Sequence, residues 1–398
     1  MIRRPWRSAH AGGAGAGAGA GAAGVEEAPG SAETREMEAY YVASQWQLIW
    51  RKFRRHRLAI TGGCVLAVLY FVAIFAEFVA PYPAGLRFQE WPHHPPSRLH
   101  FVDEDGRFGL QPFVYGVSKE RDPETLEMIY TEDKSTRYPV RLFVRGEPYR
   151  LLGVIPSDIH LFGAEAPGAV WLFGTESIGR DLFSRTVHAA RVSLSIGLVG
   201  VTITFLIGIV LGGISGYFGG AVDTAIQRLI EFLISIPTIP LWMALGAAMP
   251  QDWPVLRVYF GIVIILSLVR WGGLARVVRG KLLELRELDF TTAARVAGMR
   301  ESRIIWRHLL PNFASYLIVN LTLAVPEMIL SETALSFLGL GLRSPVVSWG
   351  VLLQKAQNIR SVVIFPWLMI PALFVVVTVM AFNFLGDGLR DAADPYKQ

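Results

Sequence analysis

The 398-residue chain has a single cysteine, and only 18% of its side chains are charged. One cysteine rules out an intrachain disulfide and a CxxC metal or redox site; Cys64 sits in an apolar run and reads as a small buried or lipid-facing side chain. Catalytic signatures are missing too. No GxxxxGK[ST] phosphate loop occurs: the stretch Gly212-Gly213-Ile214-Ser215-Gly216-Tyr217-Phe218-Gly219-Gly220 lacks the lysine that would meet a phosphate, and reads instead as helix packing followed by a tight turn. HExxH and GxSxG are also absent. His93, His94 and His100 invite a metal reading, but Pro92, Pro95 and Pro96 describe an extended loop without defined ligand spacing. No catalytic, cofactor-binding or metal-binding residue is therefore expected.

What abounds is apolar surface. With 52% hydrophobic side chains and a mean hydropathy of +0.38, the chain carries more than one soluble core needs, so lipid is the expected solvent for much of it. The net charge of +5 comes from basic residues clustered beside apolar runs, which the positive-inside rule explains without nucleic acid; no nucleic-acid module accompanies them.

Residues 1–35 hold a Gly/Ala repeat with neither periodicity nor side-chain area to fold, and read as a disordered tail. Arg3-Arg4 has the look of a twin-arginine signal, but Gly/Ala repeats make a poor apolar core for one and acidic residues follow. Residues 36–57 form an amphipathic, then basic segment that ends in Arg54, Arg55, His56 and Arg57. Spans are expected at 58–80, 192–217, 229–249, 258–274, 313–342 and 362–385, since about 20 apolar residues at about 1.5 Å each cross a hydrocarbon core. Six spans return both termini to one side, and the basic residues of 276–312 and of 51–57 make that side cytoplasmic. The polar stretch 86–171 is then periplasmic, with two short strands, 141–144 and 149–152, around a turn at Arg145-Gly146-Glu147-Pro148.

Charges inside spans are costly and mark protein-lined or watery paths. Arg228 and Glu231, three apart on a helix, can pair with each other. Glu327 and Glu332 lack a sequence-local partner and are the candidates for a translocation path, next to a Pro326 expected to bend the helix. Residues 289–298 read as a helix that meets a break, and 302–310 as a second helix stopped by Pro311. Small residues Ala293, Ala294 and Gly298 permit close approach of another backbone, and the surrounding arginines favour an acidic partner.

These features resemble the permeases of binding-protein-dependent ABC importers, in particular the C-type subunit of the dipeptide/oligopeptide and nickel family. Ala293-Ala294, Gly298 and Leu310-Pro311 look like its EAA motif. Three further blocks match: Gly174-Thr175-Glu176-Ser177-Ile178-Gly179-Arg180-Asp181-Leu182-Phe183-Ser184-Arg185; Leu335 to Gly341 with Ser348-Trp349-Gly350; and Leu385-Gly386-Asp387-Gly388-Leu389-Arg390-Asp391 with Asp394-Pro395. Thr292 departs from the usual glutamate, and the long insertion resembles that of the microcin C and related peptide permeases.

The resemblance implies an all-α polytopic membrane protein with six transmembrane helices of the type I ABC importer permease fold. To it are added a β-containing periplasmic insertion and return segment (81–191), a permease core (192–390) and a cytoplasmic C-terminus (391–398). It also implies an inner-membrane importer of peptides, peptide-like compounds or nickel, with a related second permease, two ATP-binding subunits that use ATP and magnesium, and a periplasmic substrate-binding protein. An ion-gradient transporter and a membrane-anchored enzyme are the rival readings. Residues 1–33 precede the basic anchor and lack a folding composition, so their deletion is expected to leave uptake nearly intact. Loss of uptake by the shortened chain at equal membrane abundance contradicts this.

Overall fold

The computed structural model describes residues 45–103, 106–121, 123, 128–250 and 252–393. The tail 1–35, the 36–57 segment up to residue 44, and Asp394-Pro395 lie outside the described residues. Helix α1 (Gln45–Arg55) ends in Lys52, Arg54 and Arg55. It is followed by α2 (Arg57–Ile74), which breaks at Phe75 and resumes as the single turn α3 (Ala76–Val79), so the expected 58–80 span is helical in two pieces.

Among the described residues five helices are long and apolar enough to cross a membrane. They are α2, α4 (Leu182–Phe218), α7 (Val255–Leu285), α10 (Ala314–Phe337) and the 28-residue run Pro366–Ala393, which follows the short α12 (Ile359–Ile364) and whose first turn leads into α13 (Ile370–Ala393). The expected span 229–249 is instead a pair, α5 (Gly220–Ser235) and α6 (Thr238–Ala247), bent by 84°. Pro237 at the joint has no N–H to give and holds an extended ψ of 123°, which ends α5's ladder and starts another. Counting the pair as one span gives six. The expected 192–217 and 258–274 spans were drawn too short, because both helices carry on past the apolar run into polar ends. Helix α10 passes unbroken through Pro326.

Helix α4 is the hub. It packs chiefly on α7 and also against α2 and α10, while α13 closes on α2 and α10. Gly208, Gly212 and Gly216 recur every four residues and so line one face. A Cβ on Gly212 would lie 2.5 Å from the Ala275 carbonyl oxygen and one on Gly216 2.7 Å from that of Arg279, so the two backbones touch where any side chain would part them. The glycine-rich stretch is thus a helix contact. Leu194, Ile196, Val325, Met328, Ile329 and Trp349 fill the adjoining core.

The insertion carries four antiparallel strands in the order β1 (His100–Val102), β2 (Phe108–Arg121), β3 (Met128–Leu151) and β4 (Ile155–Ala164). The expected hairpin at 141–152 is not formed: both of its halves belong to the one strand β3. Its presumed turn is a register irregularity between Arg145 and Tyr149. Gly146 serves packing there, since a Cβ would come 2.8 Å from His160 Cδ2. That imidazole bridges the sheet to the end of the first span, with Nδ1 2.6 Å from the Ala80 carbonyl and Nε2 3.0 Å from the Glu147 carbonyl. The reversal comes later, in the three residues between the paired Leu151 and Ile155, where Leu152 and Gly153 have positive φ.

Glu332 ties the chain after α10 back onto it. Its side chain is fully buried, and Oε1 accepts hydrogen bonds from Ser336 and Ser348, each 2.7 Å. The serine oxygens in turn accept from the backbone N–H of Leu342 and of Val351 in α11 (Trp349–Gln354). Trp349, held to Ser193 and Thr186, then pins α11 to α4. Removing the acceptor leaves two buried hydroxyls without it, at about 1–3 kcal/mol per unsatisfied group. Glu332→Ala should therefore lower the thermal midpoint of the purified chain clearly, and Glu332→Gln, which keeps the shape and an acceptor oxygen, much less. Equal midpoints for wild type and Glu332→Ala would show that the knot is not structural.

Candidate functional site

A cavity of about 570 Å³ opens between α4, α6, α7 and α10. Its charged feature is an ion pair: Arg270 donates from Nη1 to Glu327 Oε2 at 2.7 Å and from Nη2 to Ser331 Oγ at 3.1 Å. Trp242 backs the guanidinium, 5.8 Å from ring centre to Cζ, and the buried indole Nε1 has no partner among the described residues. Glu327 is 66% exposed and Arg270 24%, so the carboxylate faces the open side and the cation sits behind it. Asn320 and Thr204 add neutral hydrogen-bonding groups to the wall.

The two candidate path residues thus separate: Glu327 lines the cavity, and Glu332 sits in the serine knot. Sequence reasoning missed Arg270, 57 residues away from Glu327. The signal was a lone arginine inside the expected 258–274 span, where a charge asks for a partner on another helix.

The second candidate surface is the segment joining α7 to α10. Helix α7 runs to Leu285, so Arg276, Arg279 and Lys281 are helical rather than part of a 276–312 loop. Arg279 forks onto Asp223 of α5, with bonds of 2.5 and 2.6 Å. Helix α8 (Asp289–Val296) follows, then α9 (Glu301–Ile304), a π-helical turn (Ile305–Leu309) and the turn Leu310–Asn312. Ala294 and Leu310 face inward onto Tyr217, Leu282, Ile304 and Phe313, whereas Ala293, Gly298 and Pro311 are exposed.

Gly298 has φ +76°, and a Cβ there would meet nothing within 4 Å. Its glycine is set by the left-handed turn that ends α8, where Met299 N–H donates to the Ala294 carbonyl, and not by crowding within this chain. Outside the motif residues, Val296 is 85% exposed and Trp306 62%. Two large apolar side chains in a polar connection were readable in the sequence as candidates for an exposed apolar surface, and sequence reasoning passed them over.

The block at 174–185 builds a clasp in front of α4. Glu176, 1% exposed, is paired with Arg180 and lies 3.7 Å from Arg185. Thr175 donates to the Trp91 carbonyl and accepts from His94 N–H, tying the 88–97 strap to this turn. Asp181 caps α4 by accepting from Ser184 N–H at 2.7 Å, and burial pushes its carboxyl up to about 7. The three histidines go separate ways: His93 stacks on Phe365, His94 is buried beside Trp171, and His100 faces Glu132.

Comparison with known proteins gives the same outline. Residues 208–397 match the family described as binding-protein-dependent transport system inner membrane component, and residues 44–96 the N-terminal TM domain of oligopeptide transport permease C. The dipeptide transport system permease protein DppC of Bacillus subtilis is 41% identical over 231 residues, covering 58% of this chain and 70% of the relative. The oligopeptide transport system permease protein OppC of the same organism is 36% identical over 242 residues, covering 60% and 76%. A solved inward-facing structure of the MetNI methionine ABC transporter aligns at 19% identity with a TM-score of 0.42, over 53% of this chain and 97% of that one. The chain belongs to the inner-membrane permease family of binding-protein-dependent ABC importers, on its oligopeptide permease C branch.

Proposed function

We propose that the chain is one of two permease subunits of an ATP-driven importer of peptides or peptide-like compounds. The observation that carries this reading is the α7–α10 connection. It presents Val296 and Trp306 outward while Ala294 and Leu310 anchor it to the bundle, the arrangement of a rigid platform awaiting a partner. The partner is an ATP-binding subunit, which supplies the nucleotide and magnesium chemistry for which this sequence has no residues. A second, related permease completes the path, a second ATP-binding subunit completes the motor, and a substrate-binding protein delivers the cargo. Basic side chains at the end of α1 and at Arg295, Arg300, Arg303 and Arg307 favour a cytoplasmic platform and cytoplasmic termini, which leaves the sheet in the periplasm.

In this reading, closure of the ATP-binding subunits moves the platform, and the tight α4–α7 contact passes the movement to the spans as a rigid-body rotation. The cavity at Arg270 and Glu327 offers both charge signs to a zwitterionic cargo. A charge on the docking face should weaken association: overpacking or burying an unpaired charge costs about 1–3 kcal/mol or more, about tenfold or beyond in binding. Val296→Asp and Ala293→Asp are expected to lose the ATP-binding subunit on co-purification while melting like wild type. Ala294→Asp, aimed into the core, is expected to melt early. Gly298→Asp adds left-handed strain of about 1–2 kcal/mol and should also uncouple uptake. Normal retention and normal uptake in Val296→Asp and Gly298→Asp would remove this segment from the mechanism.

The ion pair gives an independent check. Arg270→Ala or Glu327→Ala alone should cut uptake of a free-termini tripeptide by about tenfold, the factor equivalent to roughly 1.4 kcal/mol, with assembly unchanged. Uptake equal to wild type in both variants would take the pair off the path.

A further inference from the structure

The inserted sheet encloses a hollow of its own. Strand β3 turns from pairing with β2 to pairing with β4 near Val140, so the two halves of the sheet diverge. Between them, roofed by residues 81–91, which run into the 88–97 strap, lies a cleft of about 660 Å³. That is within the range of about 300–1,000 Å³ typical of small-ligand sites. Tyr82, Trp91, Tyr115, Tyr138 and Trp171 give it aromatic walls, and Asp133, Arg145 and Glu147 supply both charge signs. A second hollow of about 700 Å³ shares Tyr115, Val117 and Ala169 with the first, so the two adjoin.

Two buried polar atoms beside these hollows are left without partners among the described residues. Trp171 is 4% exposed, its backbone is held on both sides by Ser97, and its indole Nε1 donates to nothing. His94, 3% exposed and lining the second hollow, has Nδ1 2.5 Å from the Pro95 carbonyl while Nε2 is unmatched. Burial pushes this imidazole down to about 4, so it is neutral: Nδ1 carries the proton and Nε2 is an acceptor. A stranded donor and a stranded acceptor are 4.5 Å apart by ring centres. Other buried polar atoms are unmatched among the described residues, Trp242 Nε1 and Glu332 Oε2 among them, but these two belong to neighbouring rings that line adjoining hollows, where a ligand with both functions would meet them.

We infer that the cleft of the insertion binds a short extended peptide with free termini. Amide groups supply in one chain the carbonyl that Trp171 lacks and the N–H that His94 lacks. Aromatic walls take side chains without demanding a sequence, and the carboxylates and Arg145 suit an ammonium and a carboxylate. Two adjoining hollows suit a chain better than a compact solute. The choice of a peptide that arrives from solution rests on the importer reading. The cleft would hold cargo on the membrane-bound assembly itself, before the path between the spans.

The test uses the full transporter in nanodiscs, without binding protein and without ATP. The probe is a tetrapeptide with free termini and benzoylphenylalanine at its second position. Saturable photocrosslinks mapped by mass spectrometry to residues 82–91 or 133–171 are expected. Trp171→Phe, which keeps the ring but not the N–H, should weaken half-saturation about three- to tenfold, the worth of one hydrogen bond. Gly163→Phe should abolish saturation by filling the cleft, since Gly163 lines it and a Cβ there makes only ordinary contact with Val144 at 3.8 Å. Arg270→Ala should leave the crosslink unchanged, and an acetylated, amidated probe should bind more weakly.

Crosslinks confined to the spans, labelling that rises without saturation, equal binding by the blocked probe, or indifference to both Trp171→Phe and Gly163→Phe with melting unchanged would each overturn the inference. So would a phospholipid retained by the wild type and lost from Gly163→Phe in native mass spectrometry. The readout involves neither uptake nor ATP: normal uptake with no crosslink sinks this site alone, whereas a normal crosslink without nucleotide-driven uptake sinks the importer reading.

Discussion

In hydrocarbon, helices gain little from apolar burial, because lipid tails solvate leucine as well as protein does. What holds this bundle is contact at backbone distance, and α4 provides it through glycines that meet α7 at the Ala275 and Arg279 carbonyls. The consequences spread from there. With α7 fixed against α4, Arg270 is placed to reach Glu327 of α10, and Arg279 to reach Asp223 of α5. The far end of α7 then fixes the start of the α8 platform. A side chain at Gly212 would part α4 from α7, the helix that carries Arg270 and Arg279.

The charges follow the same constraint. Several ionic side chains in the spans are matched across helices far apart in sequence, Arg191 with Glu77 and Arg270 with Glu327, or locally, as in Arg228 with Glu231. Glu332 is held differently, by serine hydroxyls. A lone carboxylate held only by hydroxyls suits a structural knot, whereas the exposed ion pair suits a wall that meets changing cargo.

How much of this the sequence disclosed depends on range. Long apolar runs identified the spans, since hydropathy needs no tertiary knowledge, but the bend expected at Pro326 falls instead at Pro237, to which the sequence reading assigned none. The Arg228–Glu231 pair was legible for the same reason. Pairings across tens of residues were not: Glu327 appeared orphaned because Arg270 lies on another helix, and Ser348 joins Glu332 only through a loop that doubles back. Gly146 misled, because a glycine that admits a histidine ring looks in sequence like a glycine that makes a turn. Gly298 was singled out for its missing bulk, whereas it is the turn's φ, and not space within this chain, that asks for glycine there.

The clasp at residues 174–185 joins two parts that the sequence left separate. Its threonine and buried Glu176 hold the strap carrying Trp91 and His94, and its Asp181 caps α4 at the next turn. A rigid rotation of α4 would therefore carry the strap with it, and the strap roofs the cleft of the insertion. His160 adds a second attachment, from the sheet to the end of the first span at Ala80. Movement of the spans and the shape of the cleft are thereby one mechanical problem: a bundle that rocks changes the roof, and a ligand that orders the roof biases the bundle by its difference in affinity between the two shapes.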